Sequence, residues 1–345
     1  MTKNNEHKNL NVPDLRFPEF SGEWVETELQ DIVPNICSGK DRISNSGEVA
    51  LYGSTGVIGR TNSASYKENI VLVARVGANA GQMQIGNAPC GVTDNTLVID
   101  AKEWNYYIYY FLQHYNLNRL VFGSGQPPIT GGMLKRIKVR YGCKAERNNI
   151  TRLLCLIDER IATQNKIIEK LESLIKGIAD KLFQTARETK LLLELAPNIT
   201  SGTDKNGSGT IPLYGSTGII GKVKNASQKG NIVLVARVGT IGTVQYVKES
   251  CGVSDNALIV EAGEMTKYIY HFLKTYKFAH ITSGTTQPLI TASSLKKIAV
   301  PTYDIERQTQ IVLCLNILER KLDIEKQYLS DIAMMKQYLL HQMFI

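Results

Sequence analysis

LYGSTGVIGRTNSASYKENIVLVAR, residues Leu51 to Arg75, returns as LYGSTGIIGKVKNASQKGNIVLVAR at Leu213 to Arg237, with 18 of 25 positions identical at an offset of 162. A period this long belongs to a whole domain rather than to a stacked solenoid unit, so the chain is a tandem duplication. The copies stay in step beyond it. GVTDNTLVID (Gly91 to Asp100) answers GVSDNALIVE (Gly252 to Glu261), and YIYYFL (Tyr107 to Leu112) answers YIYHFL (Tyr268 to Leu273). GSGQPPITGGMLKRIKV (Gly123 to Val139) answers TSGTTQPLITASSLKKIAV (Thr282 to Val300), and one residue lost between Gly77 and Gly91 brings the offset to 161.

Within a copy the vocabulary is that of β-structure. Ile70 to Ala74 (IVLVA) and Thr96 to Asp100 (TLVID) are short runs of branched residues bounded by Gly, Asn and Asp, which predicts strands joined by glycine turns. One helix is predicted from about Trp104 to Asn118, where Tyr107, Phe111, Leu112 and Tyr115 fall at helical spacing. An aromatic stripe at that spacing reads as core packing rather than as a platform for stacking bases. Ahead of the repeat, residues 1–12 read as a frayed arm. Val12 to Trp24 reads as an irregular segment pinned by Phe17, Phe20 and Trp24, and the signals stay weak to about Asn45.

After Val139 the pattern changes. Ile150, Leu154, Ile157, Ile161, Gln164, Ile168, Leu171, Ile175, Ile178 and Leu182 follow alternating steps of four and three, the seam of a coiled-coil helix. The second copy ends on the same seam 161 residues later: Ile311, Leu315, Leu318, Leu322, Glu325, Leu329, Ile332, Lys336, Leu339 and Met343. Each helix of about 38 residues would be about 57 Å long, more than one turn of B-DNA at about 34–36 Å. If the two run antiparallel with full overlap, Ile150 lies against Met343. Gln164 and Glu325 then fall in neighbouring central layers, where a polar pair sets register. Lys336 is expected to snorkel to the edge of the seam.

A length of 345 residues accommodates two domains, each with its own core. The net charge of +8 is unevenly placed. Leu51 to Val139 carries eight Lys/Arg against four Asp/Glu, and Leu213 to Val300 carries ten against four, so the surplus lies wholly in the repeated units. That distribution points to a polyanion as partner. The six cysteines show no CxxC spacing and no secretory leader opens the chain, which reads as a reduced cytoplasmic protein without a metal cluster. Cys90 and Cys251 are repeat equivalents and read as small buried hydrophobes. No apolar run approaches the length that crosses a bilayer.

The repeated GSTGxIG[RK] is not a phosphate loop: five residues separate Gly215 from Gly221, Val223 stands where Ser or Thr is needed, and the first copy has Arg60 for the lysine. There is no GxSxG elbow, no HExxH and no metal-spaced histidine cluster. Nor is there the Asn/Asp-Pro-Pro-aromatic tetrapeptide of amino-methyltransferases, since Gln126-Pro127-Pro128-Ile129 lacks both ends. Two basic domains without a catalytic constellation read as a reader rather than an enzyme.

Taken together, RFPEFSGEW, LYGSTGIIG, the VARVG turn, the TDN/SDN signal before a strand, SGxxQPxI, a helix opening after Glu-Arg and the final KQYLLHQMFI resemble the specificity subunit of type I restriction-modification enzymes, in both halves. The resemblance implies an α+β chain of two similar β-rich target-recognition domains separated by two long antiparallel coiled-coil helices, pseudo-twofold symmetric. The expected boundaries are 1–145 for the first recognition domain with its arm, 146–189 for the central helix, 190–304 for the second domain and 305–345 for the distal helix. It further implies double-stranded DNA as ligand, with each domain reading half of a bipartite site. Two methyltransferase (modification) subunits would dock at the helices and carry S-adenosylmethionine, and restriction/translocase subunits would supply ATP- and Mg-dependent cleavage. No cofactor or metal is expected on this chain, nor any contact with a membrane. The rival reading is a duplicated ligand-binding or scaffold protein whose helices only dimerise it.

Specificity needs polar side chains at base edges, while phosphate contacts set register. The candidates are polar and basic residues in turns shared by the copies. Ser54, Thr55 and Arg60 answer Ser216, Thr217 and Lys222, with Lys224 close by, and Ser124 and Gln126 lie near Thr286 and Gln287. Arg75 and Arg237 end a buried strand and either contact DNA or pair with Asp94 and Asp255. Asn79 and Gln82, with Thr240 opposite them, fall where the copies diverge, which is where different base preferences would be built. The seam centre, Ile157, Ile161, Gln164 and Ile168 with Leu318, Leu322, Glu325 and Leu329, is expected to form the coiled-coil core.

Overall fold

The computed structural model describes residues 11–120, 128–284 and 288–345. The chain forms two compact units: one takes in the chain up to Gln164 together with Tyr328–Ile345, and the other is Asn165–Gln327. Both are α+β.

In the first unit the strands are β1 (Val25–Glu28), β2 (Ile36–Ser38), β3 (Val49–Gly53), β4 (Gly56–Thr61), β5 (Ile70–Ala74), β6 (Met83–Gly86), β7 (Cys90–Val92), β8 (Thr96–Ile99) and β9 (Lys138–Tyr141). They form an antiparallel sheet β2-β8-β5-β6, a sheet β4-β3-β7 in which β3 and β7 are parallel, and the pair β1-β9. β5 is unbroken in its apolar run because both its faces are covered. Val71 and Val73 pack towards the helix Asn105–Tyr115, while Ile70 and Leu72 pack against Tyr52, Cys90 and Val92 of the smaller sheet. The tyrosine stripe is core: Tyr107 is buried and its hydroxyl donates to the Arg140 carbonyl at 2.7 Å. Trp24 is buried, Phe17 packs on the same core, and Phe20 meets Phe17 edge to face. β1 and β2 occupy the stretch that carried only weak sequence signals.

The second unit repeats this plan. Its strands are β10 (Glu188–Leu191), β11 (Asn198–Ser201), β12 (Ile211–Gly215), β13 (Gly218–Val223), β14 (Ile232–Ala236), β15 (Val244–Val247), β16 (Gly252–Val253), β17 (Ala257–Glu261) and β18 (Ala299–Thr302). The sheets are β11-β17-β14-β15 and β13-β12-β16, with the pair β10-β18. Val233 and Val235 of β14 face the helix core with Tyr268, Ile269 and Phe272, and Ile232 and Leu234 face the smaller sheet. Tyr268 donates to the Pro301 carbonyl at 2.8 Å, as Tyr107 does to Arg140.

The central helix spans Lys144–Gln184 and the distal helix Ile305–Gln342, against the expected 146–189 and 305–345. Every seam residue is buried or half-buried, and Gln164 is as dry as the apolar members at 1% exposure. Within the first unit Ile150 and Leu154 share a core with Leu340 and Met343, and Arg160 stacks on Tyr328 further along, so the helices run antiparallel there. Within the second unit Ala179 and Phe183 share a core with Ile311 and Leu315, and Glu172 bonds Lys326 at 2.6 Å, again antiparallel. Lys336 corrects the expectation of a snorkelling lysine. Its side chain is 13% exposed, bonds Asp158 at 2.6 Å and lies over the Tyr110 ring, because Asp158 stands one residue off the seam and supplies a carboxylate where the lysine arrives.

Candidate nucleic-acid interface

In both units the repeated GSTG folds as the tip of a hairpin. Ser54 and Thr55 turn β3 into β4 with Gly56 at φ +118°, and Ser216 and Thr217 turn β12 into β13 with Gly218 at φ +121°, a backbone that glycine adopts without strain. A glutamine clamps each tip. Gln84 Nε2 donates to the Gly53 carbonyl at 2.6 Å, and Gln245 Nε2 donates to the Gly215 carbonyl at 2.9 Å.

The end of the central strand meets this tip at an asparagine. Ser54 Oγ donates to the Asn95 carbonyl at 3.3 Å and the Arg75 N–H donates to the same carbonyl at 3.1 Å. In the second unit the Arg237 N–H donates to the Asn256 carbonyl at 3.0 Å, and Thr240 Oγ1 reaches the Ser216 carbonyl at 3.3 Å. The structure therefore joins Ser54 and Arg75 at the Asn95 carbonyl in one unit; in the other it joins Thr240 to Ser216, while Arg237 rests separately on Asn256. Among the described residues neither arginine forms an ion pair with Asp94, Asp255 or any other carboxylate, and in both the buried Nε has no hydrogen-bond partner.

Other candidates stand apart. Arg60 is drawn back along its hairpin, donating from Nη1 to the Glu48 carbonyl at 2.8 Å. Lys222 and Lys224 are exposed on β13 and just beyond it, and Thr55 and Thr217 are exposed at the tips. Asn79 closes a short helical turn (Gly77–Asn79), and Gln82 is exposed beyond it with its N–H on the Asn79 carbonyl. Ser124, Gln126, Thr286 and Gln287 lie outside the described residues.

Sequence reasoning passed over two recurring supports. One is the Asn95/Asn256 and Gln84/Gln245 set just described. The other is a carboxylate hub. Asp41 accepts from the Val92 N–H at 2.8 Å and from Ser63 and Ser65 at 3.0 and 2.7 Å, while Asp204 accepts from the Val253 N–H at 2.8 Å and from Ser227. Its signal was legible, since SGKDR at Ser38 to Arg42 answers SGTDK at Ser201 to Lys205. Beside the first hub opens a cavity of about 520 Å³ lined by Lys40, Arg42, Thr93 and Asp94 among others.

Cys90 and Cys251 are buried, and burial pushes both thiols up to about 11, far from a reactive thiolate. Among the described residues no three His, Cys, Asp or Glu side chains gather as metal ligands, and no helix is long and apolar enough to cross a membrane.

The two α+β units carry the same hairpin tip, glutamine clamp and strand-end arginine. The sequence profile of the type I restriction modification DNA specificity domain matches residues 21–173 and again 192–334. The chain belongs to that family, as a specificity subunit with two such domains, and its role is DNA specificity. It is similar to a type I specificity subunit of Mycoplasma genitalium, 24% identical over 369 aligned positions that cover 96% of this chain and 92% of that protein. It is also similar to the MjaVIII specificity subunit of Methanocaldococcus jannaschii, 30% identical over 188 positions, 49% of this chain and 43% of that protein. The chain spans less than half the length of several of the curated relatives that it matches. Among solved structures, a type I restriction-modification S subunit from M. genitalium superposes with a TM-score of 0.70 at 18% identity, covering 97% of this chain and 99% of that one. A chain from a structure of type I complex assembly and conformational transition gives a TM-score of 0.55 at 12% identity, covering 95% and 98%.

Proposed function

We propose that residues 1–145 and 190–304 are target-recognition domains that each read one half of a bipartite DNA site, and that residues 146–189 and 305–345 form the helical spacer between them. The observation that carries this reading is a strand-end arginine beside a glutamine-clamped hairpin tip in both units: Arg75 on the Asn95 carbonyl with Gln84 on Gly53, and Arg237 on the Asn256 carbonyl with Gln245 on Gly215. Readers so alike call for similar half-sites, and the antiparallel course of the helices within each unit supports an inverted arrangement. The candidate contacts are Ser54, Arg75, Ser216 and Arg237 with Asn79, Gln82, Lys222, Lys224 and Thr240. Two methyltransferase subunits dock on the helices and hold S-adenosylmethionine for adenine methylation, restriction subunits bring ATP-driven cleavage, and the complex works in the cytoplasm.

Methylome sequencing of cells that express this chain with a matching methyltransferase subunit tests the reading. A bipartite methylated motif with similar inverted halves is expected. Two unrelated halves overturn the inverted arrangement, and a contiguous motif overturns the two-reader reading. Purified complex should also lose DNA affinity steeply between about 50 and 200 mM salt, and a flat response favours a scaffold without DNA contact.

A further inference from the structure

We propose that Arg75 and Arg237 are matched DNA anchors, each guanidinium taking a pair of acceptor atoms on the duplex, their backbones held by the main-chain carbonyls of Asn95 and Asn256. The proposal rests on the DNA-reading role and names the residues through which that role is exercised.

The main chain of each arginine is held on both sides. Arg75 donates its N–H to the Asn95 carbonyl at 3.1 Å and accepts at its own carbonyl from the Ile129 N–H at 2.9 Å; for Arg237 the corresponding bonds, to Asn256 and from Ile290, are both 3.0 Å. Each residue also continues a strand buried on both faces, β5 or β14, so its Cα cannot drift. The side chain, by contrast, has no ion pair among the described residues. An arginine is charged at any physiological pH and carries five donors. Buried donors are nearly always paired in folded proteins, yet Nε is buried and unpaired in Arg75 and in Arg237 alike.

A carboxylate is at hand in sequence in both copies, Asp94 and Asp255 immediately before the two asparagines, and neither is used as a partner. The following loop has diverged, ANAGQ against TIGT, while the arginine and its buried, unpaired Nε have not. A charged fork on a fixed backbone, with Nε buried and the guanidinium in no ion pair among the described residues, is prepared for a ligand that brings two acceptors at once. On DNA the matching pairs are O6 and N7 of guanine, or two oxygens of one phosphate. The shared arginine is then the common contact of both half-sites. What distinguishes the halves falls to the loop beyond it: Asn79 and Gln82 in the first unit, Thr240 in the second.

The test uses the full chain in complex with its methyltransferase partner and a random-sequence duplex library, from which the wild type enriches its motif. Arg75→Ala, Arg75→Lys, Arg237→Ala and Arg237→Lys are compared with it, thermal melts showing that each is folded. Each alanine variant is expected to weaken binding to the wild-type motif about 10- to 100-fold, Arg75→Ala through one half-site and Arg237→Ala through the other. If the contact is a guanine edge, one position of that half relaxes and lysine does not restore it. If it is a phosphate, no position relaxes, lysine largely restores affinity and the alanine variant lowers the salt slope by about 1. Folded alanine variants with unchanged affinity, motif and salt slope overturn the proposal while leaving DNA reading intact. A wild type that enriches nothing brings down the reading itself.

Discussion

Arg16 grips Glu146 through two bonds, Nε to one carboxylate oxygen at 2.7 Å and Nη2 to the other at 2.9 Å, and the carboxylate is 1% exposed. The segment ahead of β1 is thereby tied to the first turn of the central helix. Arg16→Ala leaves that carboxylate buried without its partner and is expected to cost about 3–5 kcal/mol of stability. Arg16→Met with Glu146→Leu should cost less than Arg16→Ala alone. Urea unfolding of the three chains measures this, and a double variant weaker than the single one refutes it.

Lys336 and Asp158 form the second polar lock, with Tyr110 donating to the other Asp158 oxygen at 2.9 Å. Asp158 is a third exposed, so water softens the loss of its partner, and Lys336→Met is expected to cost about 1–2 kcal/mol. A double-mutant cycle with Asp158→Asn should give a coupling of at least about 0.5 kcal/mol. Strict additivity would mean that the pair contributes nothing specific.

His271 takes the place in the second unit that Tyr110 holds in the first. Burial is the main cause holding its imidazole below the usual histidine range, opposed by Glu319 and by the bond to Asn316. Because the folded-state value lies below the unfolded one, the proton binds more readily to the unfolded chain. The stability that the neutral ring supports is complete above the unfolded pKa and drains as pH falls through it towards the folded value. Urea midpoints should therefore drop on acidification from neutral pH, and His271→Tyr should flatten part of that slope. His114, also held low by burial, leaves a remainder. An identical slope in the variant contradicts the assignment.

Asp41 and Asp204 each knit a loop to the strand beside the hairpin. Asp41→Ala removes the acceptor of a backbone N–H and of two hydroxyls, and about 1–3 kcal/mol is expected to go with it. Gly39 is tighter still, since a Cβ there would sit 2.1 Å from the Val92 carbonyl oxygen, as at Gly202 it would sit 2.3 Å from that of Val253. Gly39→Ala should destabilise at least as much as Asp41→Ala, and a neutral result in thermal melts would show that the loop yields.

The features legible in the sequence are those with a period. IVLVA announces a strand buried on both faces, and the seam from Ile150 to Leu182 announces a helix against a partner, because each pattern is written by the element's own geometry. β1 is different. VETE has nothing to bury, and it is a strand because KVRY lies beside it and Glu26 bonds both Lys138 and Arg140 at 2.8 Å. Lys336 could be placed on the seam by counting, but the carboxylate waiting there belongs to a residue just off the seam of the other helix. The arginines were visible as strand ends. Their lack of a carboxylate partner was not, because Asp94 and Asp255 are near in sequence and only the folded turn decides that the asparagine carbonyls take the main chain instead.

The pairing of β1 with β9, and of β10 with β18, places the chain's arrival in each domain alongside its departure, one strand hydrogen-bonded to the other in opposite sense. Everything between the two strands hangs from that seam as a closed loop. A foreign domain whose own ends are zipped in the same way could be grafted at Glu28 and Lys138 without lengthening, shortening or rotating the helix that follows. On the proposed reading, the helices and the choice of bases are then separable inheritances: one can be traded while the other is kept.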